Sequence, residues 1–568
     1  MHDLVIDNAR IVDGTGAPAR PGGVAVSGGR ITAVGLAAGE VARERLDARG
    51  LVLAPGFIDP HTHYDAQVAW DPLLTCSSWH GITTVVMGNC GVGVAPCRPD
   101  AREVLMGDLV NVEAIPLDVM RRGIGWEWES FGEYMDALAR RPLGINVAPL
   151  VPLTPLRHYV LGEASFDRAA TAEETATLGR LFGEAMDAGA FGLSTTILAN
   201  HVGDQGRPLA CRRASLDELR ALCGAMRARG RGVIEAAITS LPDRVTDEEY
   251  ATLELLVEES RRPVTYLAVF ARPGRPPGSH EEVLTRVAPL LGRDRAVPQV
   301  SCRPLRVQFT LKNPFIFATM AAWGQAFNRT EEEQRALYAS EAFRTQWKDE
   351  MERRRIFRGQ WRRITVRDAA GEATRALSGQ SIAEIAEARG KDPADTILDV
   401  ALADGLETLF DFPVMNQDPE GVRPLVTDPR FLIGLSDGGA HVDQLCDAGY
   451  ATYLLGKWVR ERQALTLEEG VRRLTSEVAG FFGITDRGII APGKAADFVL
   501  FDPDTVDDEA PEYVHDLPGG GKRLVARARG VHATLVAGRV LYRDGVHTGA
   551  WPGTVLRNGA LTGPAKRG

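Results

Sequence analysis

Residues 55–65, Pro-Gly-Phe-Ile-Asp-Pro-His-Thr-His-Tyr-Asp, place two histidines two positions apart, His61 and His63. They follow an apolar run at 51–54 that leads through Pro55 and Gly56 into Phe57 and Ile58, which reads as a buried strand ending in histidine. Alternate side chains of a strand share a face, so imidazoles at i and i+2 can hold one divalent metal. The same short motif also describes two turn histidines satisfied by backbone groups, so the rest of the chain has to decide. Cys90 in Gly88-Asn89-Cys90-Gly91 and Asp437 in Ser436-Asp437-Gly438-Gly439-Ala440-His441 each end another apolar run. A thiolate, two imidazoles and a carboxylate are a suitable zinc set. Zinc lowers the pKa of a bound water and polarises a carbonyl, and Asp437 could take the water proton and return it to a leaving nitrogen. Each residue keeps a plainer alternative: Cys90 as a small buried side chain, Asp437 as a turn or cap residue. His441 and His201 are candidates for lining a substrate pocket or for solvated loop positions, and His80 is a weaker candidate.

Convergence of these residues requires a particular scaffold. Strand-like runs at 52–61, 83–90, 145–151, 191–196, 233–239, 263–270, 297–305 and 431–437 alternate with helix-like stretches such as 171–189 and 216–230. Eight such units predict an α/β fold, a (β/α)8 TIM barrel whose active site lies at the C-terminal strand ends. That end would gather His61 and His63 from the first strand, Cys90 from the second and Asp437 from the eighth. Residues 306–430 break the rhythm, with helical periodicity at 331–356 and 380–403, and are expected as a helical insertion that either covers the pocket or pads the barrel. Short β-rich runs at 3–12 and 22–34, the latter turning at Gly28-Gly29, share their texture with 495–502 and 531–545, the latter turning at Gly538-Arg539. The expected division is therefore a small β-sandwich domain from 1–54 and 486–545, a catalytic barrel at 55–485, and a loose tail at 546–568.

The net charge of −10, with no clustered basic stripe, argues against a nucleic-acid partner. No long apolar run suggests a membrane span, and the N-terminus, Met1-His2-Asp3-Leu4, shows no basic region followed by the apolar core of a signal peptide. The seven cysteines show no CxxC pair, which fits reduced thiols in a cytoplasmic protein acting on a small molecule, as a monomer or a homo-oligomer. No GxSxG elbow offers a serine hydrolase instead.

Together, the N-terminal β-run, PGFIDPHTHYD, GNCG, SDGGAH and the closing Ala491-Pro492-Gly493-Lys494-Ala495-Ala496-Asp497 resemble the amidohydrolase superfamily, and within it the N-acyl-D-amino-acid deacylase (D-aminoacylase) group. The likeness covers most of 1–310 and 430–545. It implies zinc at the barrel mouth held by His61, His63, Cys90 and Asp437, with Asp437 also the catalytic base. The group carries histidines on the fifth and sixth strands that complete a second metal position, whereas these strands here read Val-Ile-Glu-Ala-Ala-Ile-Thr and Val-Thr-Tyr-Leu-Ala-Val-Phe. One zinc ion is therefore expected rather than two, with Glu235 either an extra ligand or the partner of a barrel cation. The basic residue that grips the substrate carboxylate in the group is also replaced. Tyr266, beside Leu267 and Phe270, suggests an apolar wall for a bulky or aromatic substrate, and Arg303 is the one cation considered for an anionic group. The expected activity is hydrolysis of an amide or related C–N bond through a zinc-bound hydroxide. The alternatives are ring closure with loss of water, of the benzoxazole-forming type found in secondary metabolism, and a non-catalytic binding barrel.

Overall fold

The computed structural model describes residues 1–35, 40–240, 244–354 and 360–559. Parallel pairing runs from Phe57–Thr62 to Ile82–Met87 and on to Asn146–Pro149. After Leu150 the same segment continues as Val151–Pro152, whose partner is Gly192–Thr196. Val233–Ala237, Val264–Leu267, Ala296–Val300 and Leu432–Ile433 follow in order, all parallel. A parallel bridge between Thr62 and Gly438 brings the eighth strand back to the first. These strands are buried on both faces, as a parallel sheet between helices requires. One face supplies Ile58, Val86, Ala148, Val233, Val297 and Leu432 to one apolar cluster. The other supplies Leu193, Ile234 and Val264 to the large cluster beneath the helices. Capping boxes open several of those helices, including Ala172–Asp187 (Thr171 with Glu174) and Leu216–Arg229 (Ser215 with Glu218).

The strand expected at 52–61 is two strands. Val52–Pro55 pairs with Phe498–Phe501 in a different sheet, and the parallel cycle begins at Phe57. Gly56 marks the crossing, where a Cβ would stand 2.1 Å from Thr83 Oγ1. Around this crossing the two chain ends share one nine-stranded sheet, with His2–Ile11 beside Val52–Pro55 and Phe498–Phe501 beside Val531–Val536. The hairpin at Gly28-Gly29 forms, with Ser27 opposite Arg30. The later one turns at Ala537-Gly538, one residue before the expected pair, with Val536 opposite Arg539. The tail is not loose where it is described: Gly553 donates to Leu143 O and Leu556 to Val147 O, pinning it along the third strand. Its residues 560–568 lie outside the described chain. Among the described residues no helix is long and apolar enough to cross a membrane.

The excursion between the seventh and eighth strands is not purely helical. The run expected at 297–305 ends as a strand at Val300, and Leu305–Phe309 instead enters an antiparallel sheet with Leu409–Met415 and Thr365–Asp368. The periodicity at 331–356 resolves into Glu331–Ala339 and Glu341–Arg354, residues 355–356 lying outside the described chain. The periodicity at 380–403 becomes Ile382–Arg389 and Pro393–Ala403. This segment has its own apolar core, centred on Trp323 and Trp347, with Phe317 stacked on Trp323 at 4.4 Å. Pro419–Thr427 instead gives Val422 and Leu425 to the main core.

Two stability predictions follow from this packing. Trp323→Ala should cost about 3–5 kcal/mol, read as a lower denaturant midpoint for the insertion; an unchanged midpoint would show that the tryptophan is not its keystone. His80 is buried between Thr452 Oγ1 (2.7 Å) and Ala526 O (3.0 Å), and burial lowers its pKa from 6.5 to about 4. The unfolded chain therefore takes up that proton first, so the contribution of His80 is complete above pH 6.5 and is lost as the pH falls toward 4. His80→Gln should reduce the acid-side slope of stability against pH by about one proton, checked by denaturation between those limits.

Candidate metal centre

The C-terminal end of the cycle gathers four donors. His61 Nε2 lies 3.6 Å from Cys90 Sγ and 3.4 Å from Asp437 Oδ1, and His63 Nε2 lies 3.9 Å from the same oxygen. One donor atom from each of His61, His63 and Cys90 falls within 4.8 Å of the others. A tetrahedral ion with bonds of about 2.0 Å to nitrogen or oxygen and about 2.3 Å to sulfur separates its ligand atoms by about 3.3–3.5 Å. The two spacings from His61 fit that ion, and so does the chemistry of the donors; His63 Nε2 stands farther from Asp437, and the close grouping comprises His61, His63 and Cys90 without Asp437. His61, His63 and Cys90 are buried, whereas Asp437 keeps 24% of its side chain exposed and opens the cluster to one side.

Local backbone explains the positions. The second strand stops at Met87 rather than reaching residue 90, and Asn89-Cys90-Gly91 forms a tight turn with Cys90 at φ +54°. Glycine flanks it of necessity: a Cβ on Gly88 would stand 2.6 Å from Leu150 O, and one on Gly91 2.9 Å from Thr195 Cα. Cys90 N donates to Glu235 Oε2 at 2.6 Å, and Gly91 N to Ser194 Oγ at 3.1 Å. Glu235 thus buttresses the turn; its other oxygen has no hydrogen-bond partner, and burial pushes its carboxyl up to about 8.

The eighth strand is shorter than 431–437, so Asp437 sits in the loop beyond Ile433 at φ +46°. Ser436 Oγ donates to His61 O at 3.0 Å, and His63 N donates to Gly438 O at 2.7 Å. Burial raises the Asp437 carboxyl to about 7, with the charge of Asp447 adding to it.

Two further imidazoles belong to the same neighbourhood. His201 and His441 are held at about 3 and 4 by burial, and the pKa of His63, itself lowered mainly by burial, is depressed further by the charges of His61, His441 and His201. The insertion reaches both: the Phe315 ring lies 5.0 Å from that of His441, and Phe327 packs with Val202 beside His201. The structure does not bring in the other two candidates. Tyr266 pairs with Ala236 and lies on the strand face opposite Glu235 and Thr265, within the core under the helices. Arg303 is committed to Asp447 and Asp508.

Two residues escaped the sequence reading. Glu113, ending the helix Arg102–Glu113, brings Oε1 to 3.1 Å from His63 Nδ1, the nitrogen turned away from Asp437. Its signal was present: an acid among apolar residues at a helix C-terminus, where the helix dipole disfavours negative charge. Arg212 donates to His201 O at 3.2 Å and makes no ion pair among the described residues. Two variants test the roles of Cys90 and Glu113 by metal analysis. Cys90→Ala should lower bound zinc per chain. Glu113→Gln should weaken zinc affinity roughly 10–100-fold without emptying the site at saturating metal; unchanged affinity would make Glu113 a bystander.

A family model described as "Amidohydrolase family" matches residues 44–542. The chain is 31% identical to the N-acyl-D-aspartate deacylase of Alcaligenes xylosoxydans xylosoxydans, covering 98% of this chain and 95% of that one. It superposes at TM-score 0.67 on the N-acyl-D-glutamate deacylase of Bordetella bronchiseptica complexed with zinc and a phosphonate mimic of the tetrahedral intermediate, at 27% identity over 98% of this chain and 99% of that one. A D-aminoacylase structure, described by the functional role of its binuclear metal centre with one-metal activation and second-metal attenuation, also gives 0.67, at 26% identity over 98% and 100%. Family model, relatives and donor geometry agree: the chain belongs to the amidohydrolase family.

Proposed function

We propose that the protein hydrolyses the amide of a small N-acylated D-amino acid or a bulkier relative, using one metal ion held by His61, His63, Cys90 and Asp437. The observation that carries this reading is the approach of Asp437 Oδ1 to His61 Nε2 at 3.4 Å, beside a thiol and a second imidazole. We read the eight-strand cycle as a (β/α)8 barrel at 55–485, with 306–430 as the insertion over its mouth. In the same reading 1–54 and 486–545 form a β-sandwich domain.

When bound, zinc supplies acidification of a water molecule and polarisation of the acyl carbonyl. The remaining work falls to the chain. Asp437 takes the proton of the attacking water at Oδ1 and passes it to the departing nitrogen, the two halves of general acid–base work. His201 and His441 are neutral at pH 7 and can donate N–H bonds to the oxygen on which charge develops. Arg212 supplies a cation for an anionic group of the substrate. Glu235 holds the Cys90 turn. With no histidine on the fifth or sixth strand, a single ion is the favoured count.

The test is a panel of N-acetyl-D-amino acids, with aspartate, glutamate, methionine and phenylalanine side chains, offered to the zinc-loaded protein. Release of free amine, abolished by a chelator and restored by zinc, is the expected result. Asp437→Asn should lower kcat about 10²–10⁴-fold. A product lighter than its substrate by one water would replace hydrolysis with ring closure; tight binding without turnover would indicate a binding barrel.

A further inference from the structure

Two cysteines outside the metal centre face each other across the fold. Cys76, just before the turn Ser77–His80, and Cys446, in the loop that carries Asp437 and His441, place their sulfurs 3.8 Å apart, although 370 residues separate them in the chain. Both line a cavity of about 30 Å³ that extends to Asp437 and Gly438. Cys76 is buried, while Cys446 is partly exposed. We propose that Cys76 and Cys446 are a reversible disulfide site, oxidised by hydroperoxides, which ties the Asp437 loop to the segment following the first strand.

Geometry separates this pair from the other cysteines. Cys97, Cys211 and Cys302 each direct their sulfur at a backbone carbonyl, and Cys90 belongs to the metal centre. A disulfide needs its sulfurs at about 2.05 Å, so the pair must close by somewhat less than 2 Å, and the adjoining cavity provides room for that rotation. Access favours Cys446 as the attacking partner, since it is partly exposed whereas Cys76 is buried, and the Arg303 guanidinium beside Cys446 favours its thiolate. Reactivity follows thiolate character and access.

The reaction balances in two steps. The Cys446 thiolate attacks the hydroperoxide; the O–O bond breaks, the alcohol leaves, and Cys446 becomes a sulfenic acid. Cys76 sulfur then attacks that sulfur; the S–O bond breaks, and hydroxide departs as water with the Cys76 proton. Two thiols lose two electrons and two protons, and the hydroperoxide is reduced to alcohol and water. The loop has little slack to absorb the closure: a Cβ on Gly438 would stand 2.8 Å from Tyr64 Oη and 3.0 Å from Ser77 Oγ.

The experiment treats the reduced full-length protein with hydrogen peroxide, blocks remaining thiols with iodoacetamide and maps its peptides. The expected product is a peptide pair joined through Cys76 and Cys446, with two fewer alkylated thiols, reversed by dithiothreitol and absent from both Cys446→Ser and Cys76→Ala. Amide exchange across 438–449 should slow on oxidation in the wild type and not in either variant. Sulfinic acid at Cys446 without a crosslink, or two free thiols after peroxide has oxidised other residues, would overturn the site. A crosslink with unchanged exchange would overturn its hold on the loop.

Discussion

Everything at the metal centre depends on one backbone seam. The loop 436–439 lies along His61–Tyr64, held by Ser436 Oγ on His61 O and by His63 N on Gly438 O. This seam also carries the bridge that returns the eighth strand to the first. It brings a carboxylate to two imidazoles from segments more than 370 residues apart, and it leaves no room for side chains at Gly438 and Gly439. A Cβ on Gly439 would stand 2.8 Å from His63 O. The paired glycines of SDGGAH are thus a packing requirement, and the positive φ of Asp437 and His441 is the conformational cost of aiming both at one place.

Electrostatics then explains why this place calls for a cation. Asp59, Asp65, Glu113, Glu235 and Asp437 are all displaced upward, mainly by burial, and several raise one another further. The imidazoles beside them are displaced downward by the same burial. The arrangement gathers acids around neutral histidines and a thiol. A divalent ion reverses each of those penalties: it favours ionised carboxylates and thiolate, and it uses neutral imidazole as it stands. Glu113 belongs to this logic as the partner that orients His63 from behind.

The motifs and the eight strands were readable because parallel strands buried on both faces leave continuous apolar runs, and because His61, Cys90 and Asp437 sit just past such runs. Strand ends were less readable, since Gly56, Gly88 and the stretch after Ile433 divide or stop strands through close approaches that only the folded neighbours reveal. Tyr266 and Arg303 illustrate a second limit. Tyr266 lies in the sixth strand, where the face a residue takes depends on register, and Arg303, beyond the end of the seventh, has its partners at Asp447 and Asp508, far along the chain. Arg212 is a functional candidate through a contact that no local spacing advertises, whereas Glu113 stands out in the sequence only as an acid closing an apolar helix.

The insertion brings scaffold and chemistry together. Its core of Trp323, Trp347 and Phe317 is separate from that of the parallel cycle, so it can change in sequence without disturbing the metal donors. Yet it touches the site through Phe315 against His441 and Phe327 beside the His201 loop, and Asn328 accepts hydrogen bonds from Asn111 and Gln205. An independently packed body thus touches His441 and the loop that carries His201, while the seam positions Asp437 against the imidazoles. The two segments therefore act on different terms: the seam on the placement of the donors, the insertion on what surrounds His201 and His441.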